Sequence, residues 1–224
     1  MFQGFSQGAV DFLWGIRFNN ERGWFLAYKQ EYLELLDAPL RELGRQLWQA
    51  MDGEFPELGL NLHVCRIYRD ARRLHGRGPY KDHLWLVLER PHERFEAVPA
   101  FYFEIAPEYY SSGMGYWDAP AGVMARLRAR IDRDPAPMEG LVLGLEGGGL
   151  TLSGQEYKRP KGDPGPLLYP WYNRKNIAVG RDENCEGDLF TPRLYDRVLA
   201  DFRALVPLYR YVSTLPGDPE PSKT

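Results

Sequence analysis

The stretch HLWLVLERPHERFEAVPAFYFEIAPEYYSSGMGYW, His83–Trp117, decides the fold, because several strand-type runs follow one another here with short links. The runs are His83–Glu89, Pro99–Ala106 and Tyr109–Trp117, and they are rich in aromatic and branched apolar residues. Only two residues separate the last two runs. Strands joined so closely pair antiparallel, because a parallel pair needs a crossover of about a dozen residues or more. The stretch therefore predicts an antiparallel, meander-like sheet.

Helical patterns precede this stretch. Ala9–Phe18 and Glu21–Leu36 carry apolar residues at the spacing of amphipathic helices, and we expect the pair Asn19–Asn20 to cap the second one. Asp37 is suited to cap a third helix, in which Pro39 lies in the first turn and its missing N–H costs no hydrogen bond. The predicted buried face of the third helix consists of Leu40, Leu43, Leu47, Trp48 and Met51.

The remaining patterns complete the prediction of an α+β fold. After the sheet stretch, Asp118–Asp132 reads as a helix, Leu150–Ser153 as a short strand and Trp171–Val179 as one more strand. A last helix begins after Thr191, and Pro207 either ends it or starts a second one. We expect an antiparallel sheet packed against N-terminal, middle and C-terminal helices in a single domain, residues 1–215, followed by a disordered tail, residues 216–224.

The composition excludes several classes of protein. With 44% apolar and 14% aromatic residues, the 224-residue chain is far from the composition of a disordered protein. Neither a signal peptide nor an apolar run of membrane-spanning length is present, so we expect a soluble, cytoplasmic protein without a membrane partner. Cys65 and Cys185 are too few for a disulfide framework, which agrees with a reducing compartment.

The sequence carries no motif for a metal or a cofactor. The four histidines lack the HExxH spacing, and no paired-cysteine motif is present. The glycines form neither a P-loop nor a dinucleotide-binding pattern, and no G-x-S-x-G elbow marks a nucleophilic serine. We therefore expect no metal site and no bound cofactor.

The sequence RIYRDARRLHGRGPYK, Arg66–Lys81, is a cationic segment in an acidic chain. Six basic side chains stand against the single acid Asp70, which gives a local charge of +5 where the whole chain has −3. Such a segment either binds an anion, to which guanidinium groups donate paired hydrogen bonds, or forms internal ion pairs. On the first interpretation the ligand-binding side chains are Arg66, Arg69, Arg72, Lys81, Tyr68 and Tyr80.

The local pattern around these residues is a strand followed by a polar loop. Asn61–Arg69 reads as the strand, on which Arg66 and Tyr68 share one face while Arg69 lies on the other. Strand alternation alone therefore does not bring the arginines to one point. The basic residues of the following loop have more freedom to approach them.

A second basic loop lies at Tyr157–Gly162, within the Pro- and Gly-rich segment Gly154–Pro170. Three cations beside an aromatic ring suit a phosphate or a nucleic-acid base, and the alternative is a solvated loop that braces the sheet. This loop contributes to the same site only if it folds back beside Arg66–Lys81. Its basic residues are Lys158, Arg159 and Lys161.

The basic segment resembles the signature RIYRDxRFSxDKxPYK of a bacterial family of conserved hypothetical proteins, domain of unknown function 2461. Further features agree with that family: the FL…NN…WF…Y run over Phe12–Tyr32, the GYW around Tyr116, and KRPKG at Lys158–Gly162. The resemblance spans about Phe5–Val212. It implies one domain of mixed helix and sheet, and it implies no activity.

The chain departs from that signature within the loop. Arg73 and Leu74 replace a Phe-Ser pair, and Gly76 stands where the family has Asp. A mechanism that needed the missing Ser or Asp is therefore in doubt for this chain. An anion site built from the arginines and Lys81 is not.

The sequence leaves three main functional hypotheses open. The first is a domain that binds a small anionic or phosphorylated ligand at Arg66–Lys81. The second is a metal-independent enzyme on a phosphorylated substrate, with Asp70 or Tyr80 as the acid–base group. The third is a structural or protein-interaction domain that uses Gly154–Pro170 as its contact surface. Nucleic acid is a weaker fourth candidate, because the chain as a whole is acidic.

Overall fold

The computed structural model describes residues 1–70, 72, 76, 78–92 and 97–220. The chain is an α+β protein with a six-stranded antiparallel sheet. Its strands are β1 (Asn61–Val64), β2 (Leu84–Glu89), β3 (Ala100–Ile105), β4 (Tyr109–Tyr116), β5 (Thr151–Ser153) and β6 (Ile177–Asn184). The strand order is β1-β2-β3-β4-β6-β5.

The first four strands are neighbours in chain order, so the predicted meander is confirmed. The last two strands change the order, because β6 lies between β4 and β5. In the pairing of β5 with β6, Thr151 faces Gly180 and Ser153 faces Ala178. This arrangement leaves β1 at one edge of the sheet and β5 at the other.

Helices precede, interrupt and follow the sheet, as the sequence predicts. Short 3₁₀ turns occur at Pro56–Leu58, Gly187–Phe190 and Leu215–Gly217, and a π-helical turn occurs at Tyr32–Asp37. The α-helices are α1 (Gln7–Phe18), α2 (Arg22–Ala27), α3 (Lys29–Glu31), α4 (Ala38–Glu54), α5 (Ala121–Arg133), α6 (Ala136–Glu146), α7 (Tyr169–Tyr172) and α8 (Arg193–Ser213).

Helix α4 shows how the apolar pattern becomes packing. Its predicted apolar residues are fully buried except Trp48, which is half-buried and donates its indole N–H to the Leu60 carbonyl at 2.7 Å. Gly44 allows the close approach of β1, since a Cβ on Gly44 would lie 2.9 Å from a methyl of Leu62. The helix therefore covers one face of the edge strand.

The single helix predicted over Glu21–Leu36 is wrong. It divides into α2, α3 and the π-helical turn, and a π turn holds more residues than an α turn, so the side chains after it change direction. Phe25 and Leu36 are buried as predicted, whereas Tyr28 is 40% exposed. Asp37 has helical dihedrals and caps nothing; its carboxylate accepts hydrogen bonds from Tyr32 and Arg41 instead.

Three other predicted element boundaries are also wrong. The strand predicted over Asn61–Arg69 ends at Val64. The strand predicted over Trp171–Val179 is a helical turn, α7, followed by β6, with Pro170 at the start of the turn, where a proline is tolerated. Pro207 neither ends nor restarts a helix, because α8 continues through it.

The chain divides into two compact units, residues 1–88, 102–112 and 182–200 in the first and 89–101, 113–181 and 201–224 in the second. In the first unit α1 and α4 bury Leu13, Ile16 and Leu43 completely. The domain boundaries that we drew from the sequence, 1–215, stay a prediction.

In the second unit, Phe101 of β3 stacks on Tyr209 of α8 with ring centroids 4.8 Å apart. The start of the predicted tail also has contacts in this unit: Arg130 of α5 donates two hydrogen bonds to the Asp218 carboxylate, at 2.6 and 2.7 Å. Residues 221–224 lie outside the described part, so disorder there stays a prediction. Within the described residues, no helix has the length and apolarity to cross a membrane.

Candidate functional site

The two ends of the basic segment pair with each other like the arms of a hairpin. The Arg69 N–H donates to the Pro79 carbonyl at 2.8 Å, and the Lys81 N–H donates to the Ile67 carbonyl at 2.7 Å. Tyr68 lies opposite Tyr80 in this pairing. The pairing brings together residues up to fifteen positions apart, so the distant halves of the signature form one local structure.

A cluster of aromatic rings packs against one face of the hairpin. Tyr80 is 4% exposed and stacks on Phe25 with ring centroids 4.3 Å apart. Tyr68 is 51% exposed and meets Phe25 edge-on at 5.7 Å. Burial raises the pKa of Tyr80 above its ordinary value. Tyr80 is thus part of the core, and Tyr68 alone of the two presents its ring to solvent.

Asn20 fastens the hairpin to the connection between α1 and α2. Its side-chain oxygen accepts from the Tyr80 N–H and its amide donates to the Tyr80 carbonyl, both at 2.9 Å. The predicted N-cap role is therefore wrong: Glu21 takes the cap position, and the Asn19 side chain donates to the Gly15 carbonyl at the end of α1. An Asn side chain matches the backbone of another segment as well as it matches a helix end, and the sequence alone cannot distinguish the two.

Arg69 is held by partners of its own protein. It donates to the Tyr80 carbonyl at 2.7 Å and to the Asp82 carboxylate at 3.2 Å. Asp82 also accepts from Arg17 of α1 at 2.6 Å and lies 3.2 Å from a ring nitrogen of His83. Burial alone would raise the pKa of Asp82, but the hydrogen bonds from Arg17 and His83 outweigh it, so this pKa lies below the ordinary value.

Lys81 is engaged with the backbone of the opposite arm. Its ammonium group donates to the carbonyl of Arg66 and, at 3.0 Å, to the carbonyl of Tyr68. It also lies 5.1 Å from the centre of the Trp85 ring, in the position of a cation–π contact. Burial lowers the pKa of Lys81, an effect that nearby Cys65 partly opposes. Lys81 thus satisfies carbonyl groups at the edge of the sheet.

Arg72 pairs with the neighbouring acid. Its guanidinium donates to both carboxylate oxygens of Asp70, at 3.1 and 2.8 Å. The Arg72 side chain is 80% exposed, so solvent screens the pair and it contributes little to stability.

Arg66 differs from the other three cations. Its side chain is exposed, and its guanidinium group has no hydrogen bond or ion pair to any residue that the structure describes. It lies between Cys65 and Ile67, which are buried, and it therefore shares the outer face with Tyr68, as the alternation predicts. Of the four cations, Arg66 is therefore the one whose charged group has no partner among the described residues.

These side chains line one groove of about 660 Å³. The groove brings together all four predicted cations and Tyr68, whereas Tyr80 is not among its walls. Three wall residues were not predicted: His63 and Cys65, which precede Arg66 on the predicted strand, and Trp85, which follows the segment. The complete set of walls is His63, Cys65, Arg66, Tyr68, Arg69, Asp70, Arg72, Lys81 and Trp85.

The second basic loop is not among the walls of this groove. Lys158 instead lines a pocket of about 320 Å³ with Tyr157, Tyr169 and Asn173. The side chains of the predicted loop residues Lys158, Arg159 and Lys161 are exposed. The loop is held by Asn173, whose side chain accepts from the Lys161 N–H at 2.6 Å and donates to Gly162 and Tyr169 carbonyls. These contacts fit the bracing interpretation.

The described residues give little support to acid–base, thiol or metal chemistry at the groove. Asp70, a proposed acid–base group, is the partner of Arg72, and Tyr80, the other one, is buried and is not among the walls of the groove. Burial raises the pKa of Cys65 to about 11, which suppresses its thiolate. Among residues 1–70, 72, 76, 78–92 and 97–220, no three His, Cys, Asp or Glu side chains come together as metal ligands. Arg73 and Arg77 lie outside the described residues.

The chain matches the model of a known protein family. The model of the family described as Conserved hypothetical protein (DUF2461) matches residues 8–211. Among curated proteins, none matches the chain. The matched region contains both arms of the hairpin, the groove and Asn20.

Proposed function

The chain belongs to the family Conserved hypothetical protein (DUF2461), whose description names no activity, so we propose a function from the groove itself: this protein binds a small anionic or phosphorylated ligand there. The proposal rests on one observation. The groove gathers four cationic side chains, and the guanidinium of Arg66 has no partner within the described residues. An unpaired guanidinium in a concave site donates well to phosphate or carboxylate oxygens.

The four cations have different roles in this proposal. Arg66 donates directly to the anion. Arg72 joins it when the anion displaces Asp70. Arg69 and Lys81 keep the hairpin in shape through their own hydrogen bonds, and their charges add to the positive potential of the groove. In this proposal the anion has two direct cationic contacts, Arg66 and Arg72, rather than the four that the sequence suggests.

The proposed function is ligand binding rather than catalysis. An acid–base group must reach the reacting atoms, and Tyr80 is buried and is not a wall of the groove. Asp70 is a wall of the groove, and the proposal gives it the role of partner to Arg72 in the absence of the ligand. The enzyme hypothesis and the protein-interaction hypothesis at Gly154–Pro170 stay predictions.

The test is a thermal-shift screen of wild type with inorganic phosphate, sugar phosphates, nucleotides and simple carboxylates. A ligand at about 100 times its dissociation constant adds about 2.7 kcal/mol of stability, which raises the melting temperature of a chain of this size by about 5–10 °C. We expect this shift in wild type and its loss in Arg66→Ala. The control is Arg193→Ala, which removes an exposed arginine outside the groove without a side-chain partner among the described residues.

Two outcomes contradict the proposal. One is the absence of a shift with every anion in the screen. The other is a shift that Arg66→Ala retains in full, since the anion then binds elsewhere. A loss of the shift in Arg193→Ala as well would point to a general effect of net charge rather than to the groove.

A further inference from the structure

Tyr68 offers one exposed aromatic ring beside the anion site. Its ring centroid lies 5.4 Å from that of Tyr80 and 5.7 Å from that of Phe25, with interplanar angles of 50° and 71°. These contacts hold the ring on one side, yet half of the residue remains exposed. A large ring that is fixed by its neighbours and open to a groove is well suited to stack against a flat ligand.

The other aromatic wall of the groove is already covered. The ammonium of Lys81 lies 5.1 Å from the centre of the Trp85 ring, and the ring of His83 is stacked on Trp85 with centroids 5.6 Å apart. The Tyr68 ring has no such cation or stacked partner among the described residues; its ring neighbours meet it edge-on or tilted. A ligand ring therefore finds an open face at Tyr68 rather than at Trp85.

The size of the groove and the position of Arg66 point to the same kind of ligand. Pockets of about 300–1,000 Å³ take molecules of drug size, and this groove has about 660 Å³, far more than one phosphate ion needs. Arg66 and Tyr68 are two residues apart on the same face, so their Cα atoms are at most about 7 Å apart. A ligand that contacts both residues therefore carries its anionic group and its ring close together in one small molecule.

We propose that the ligand is a phosphate or similar anion joined to a flat ring by a short linker, of the kind found in a nucleoside monophosphate. The anion binds Arg66 and the ring stacks on Tyr68. This inference rests on the proposed function, since it names the class of ligand for the same groove. The same chemistry occurs in a free nucleotide and at the end of a nucleic-acid strand, and the experiment separates these sources.

The experiment measures dissociation constants by calorimetry for AMP, ribose 5-phosphate, adenosine and inorganic phosphate. Wild type is compared with Tyr68→Phe, which keeps the ring, and Tyr68→Leu, which removes it. We expect AMP to bind wild type about 5- to 150-fold more tightly than ribose 5-phosphate, because base stacking on an aromatic side chain is worth about 1–3 kcal/mol. Tyr68→Phe should keep this ratio, and Tyr68→Leu should bring it near one.

The affinity for ribose 5-phosphate serves as the folding control. It should be the same in Tyr68→Leu as in wild type, which shows that the groove is intact. Equal affinities of AMP and ribose 5-phosphate in wild type overturn the ring inference and leave the proposed function standing. If none of the phosphates binds, and carboxylates do not bind either, both proposals fail.

A last arm compares AMP with a single-stranded oligonucleotide that carries a 5′-phosphate. We expect the oligonucleotide to bind no more tightly than AMP, since only one cation of the groove lacks a partner in the described chain. An affinity for the oligonucleotide that exceeds that for AMP and falls steeply with salt overturns the assignment to a free small molecule.

Discussion

Arg66 and Arg69 are three residues apart and carry the same charge, but their partners differ. Arg69 is bonded to the Tyr80 carbonyl and to Asp82, whereas Arg66 has no partner in the described part of the chain. The two arginines are the same kind of residue in the sequence. Their surroundings distinguish an arginine bonded within the fold from one whose guanidinium has no partner among the described residues.

This difference predicts opposite effects on stability. Arg69→Ala leaves a buried carbonyl and the Asp82 carboxylate with fewer donors, so it should lower the free energy of unfolding by about 1–3 kcal/mol. Arg66→Ala removes an exposed side chain and should change stability by less than about 0.5 kcal/mol. Urea unfolding followed by circular dichroism measures both. The assignment is wrong if the two variants lose the same stability.

Because the Asp82 carboxyl group has a lowered pKa in the folded protein, we expect the stability of the protein to depend on pH. Its pKa in the folded protein lies below the ordinary value of 3.8, so its ionised form stabilises the folded state above about pH 4. That contribution is lost as the pH falls through the folded-state pKa. The free energy of unfolding should therefore differ most between wild type and Asp82→Asn at neutral pH, and least near pH 3.

Urea titrations at pH 7, 5, 4 and 3 measure this difference. The matched control is Asp118→Asn, an exposed acid without an ion pair to a described residue. The contrary result is a difference in the free energy of unfolding between wild type and Asp82→Asn that stays constant down to pH 3. That result would show that Asp82 acts through packing rather than through its charge.

At the scale of elements, the groove depends on how the hairpin is attached to the helical region. Asn20 binds both backbone groups of Tyr80, and Gly78 lies directly against it. A Cβ on Gly78 would lie 2.2 Å from the side-chain oxygen of Asn20 and 2.5 Å from its carbonyl oxygen. Because one of these atoms is backbone, a rotamer change alone cannot make room.

Gly78→Ala should therefore lower the free energy of unfolding by about 1–3 kcal/mol, the usual cost of an added group in a packed site. The matched control is Gly53→Ala in α4, where no atom lies within 4 Å of the new Cβ. That control should raise stability by about 0.5–1 kcal/mol, because alanine is the better helix former. Thermal or urea unfolding measures whether each substitution lowers or raises the free energy of unfolding. A Gly78→Ala protein that is more stable than wild type would contradict the close contact with Asn20.

Asn20→Ala tests the same attachment without adding volume. It removes the acceptor of the Tyr80 N–H and one of the two donors to the Tyr80 carbonyl, which keeps Arg69. We expect a loss of about 1–3 kcal/mol, mainly for the N–H left unpaired. The control is Asn19→Ala, which affects only the end of α1. If Asn20→Ala binds the groove's ligand as wild type does at full stability, Asn20 does not position the hairpin.

At the scale of the whole molecule, the charge distribution limits the partners. The chain has a net charge of −3, although the basic segment carries +5. On the proposed function, a small anion contacts only the groove, whereas a long polyanion would also lie close to the acidic remainder of the chain and be repelled by it. The protein should therefore bind long duplex DNA weakly at physiological salt.

The salt dependence of binding measures this prediction. For a ligand that contacts one or two cations, the logarithm of the binding constant should fall with the logarithm of salt with a slope of about −1 to −2, by the counterion-release argument. Fluorescence titrations from 50 to about 300 mM salt give this slope. A slope near −6 or steeper would indicate a nucleic-acid surface much larger than the groove.

The sequence by itself determined the fold class, the meander and the buried face of α4. Period-two and helical patterns depend on neighbours along the chain, and short links leave antiparallel pairing as the available choice. The sequence also located the cationic segment, and its charge is a property of composition alone. All four predicted cations of that segment are walls of one groove.

Only the tertiary structure decided what each of those residues does. Arg69 shares the carboxylate of Asp82 with Arg17 of α1, and Tyr80 is buried because Phe25 lies over it. Asn20 lies sixty residues before Tyr80, too far along the chain for any local pattern to link them. The partner of a side chain depends on which distant segments the fold brings to it, and that partner determines whether a cation is free to bind a ligand.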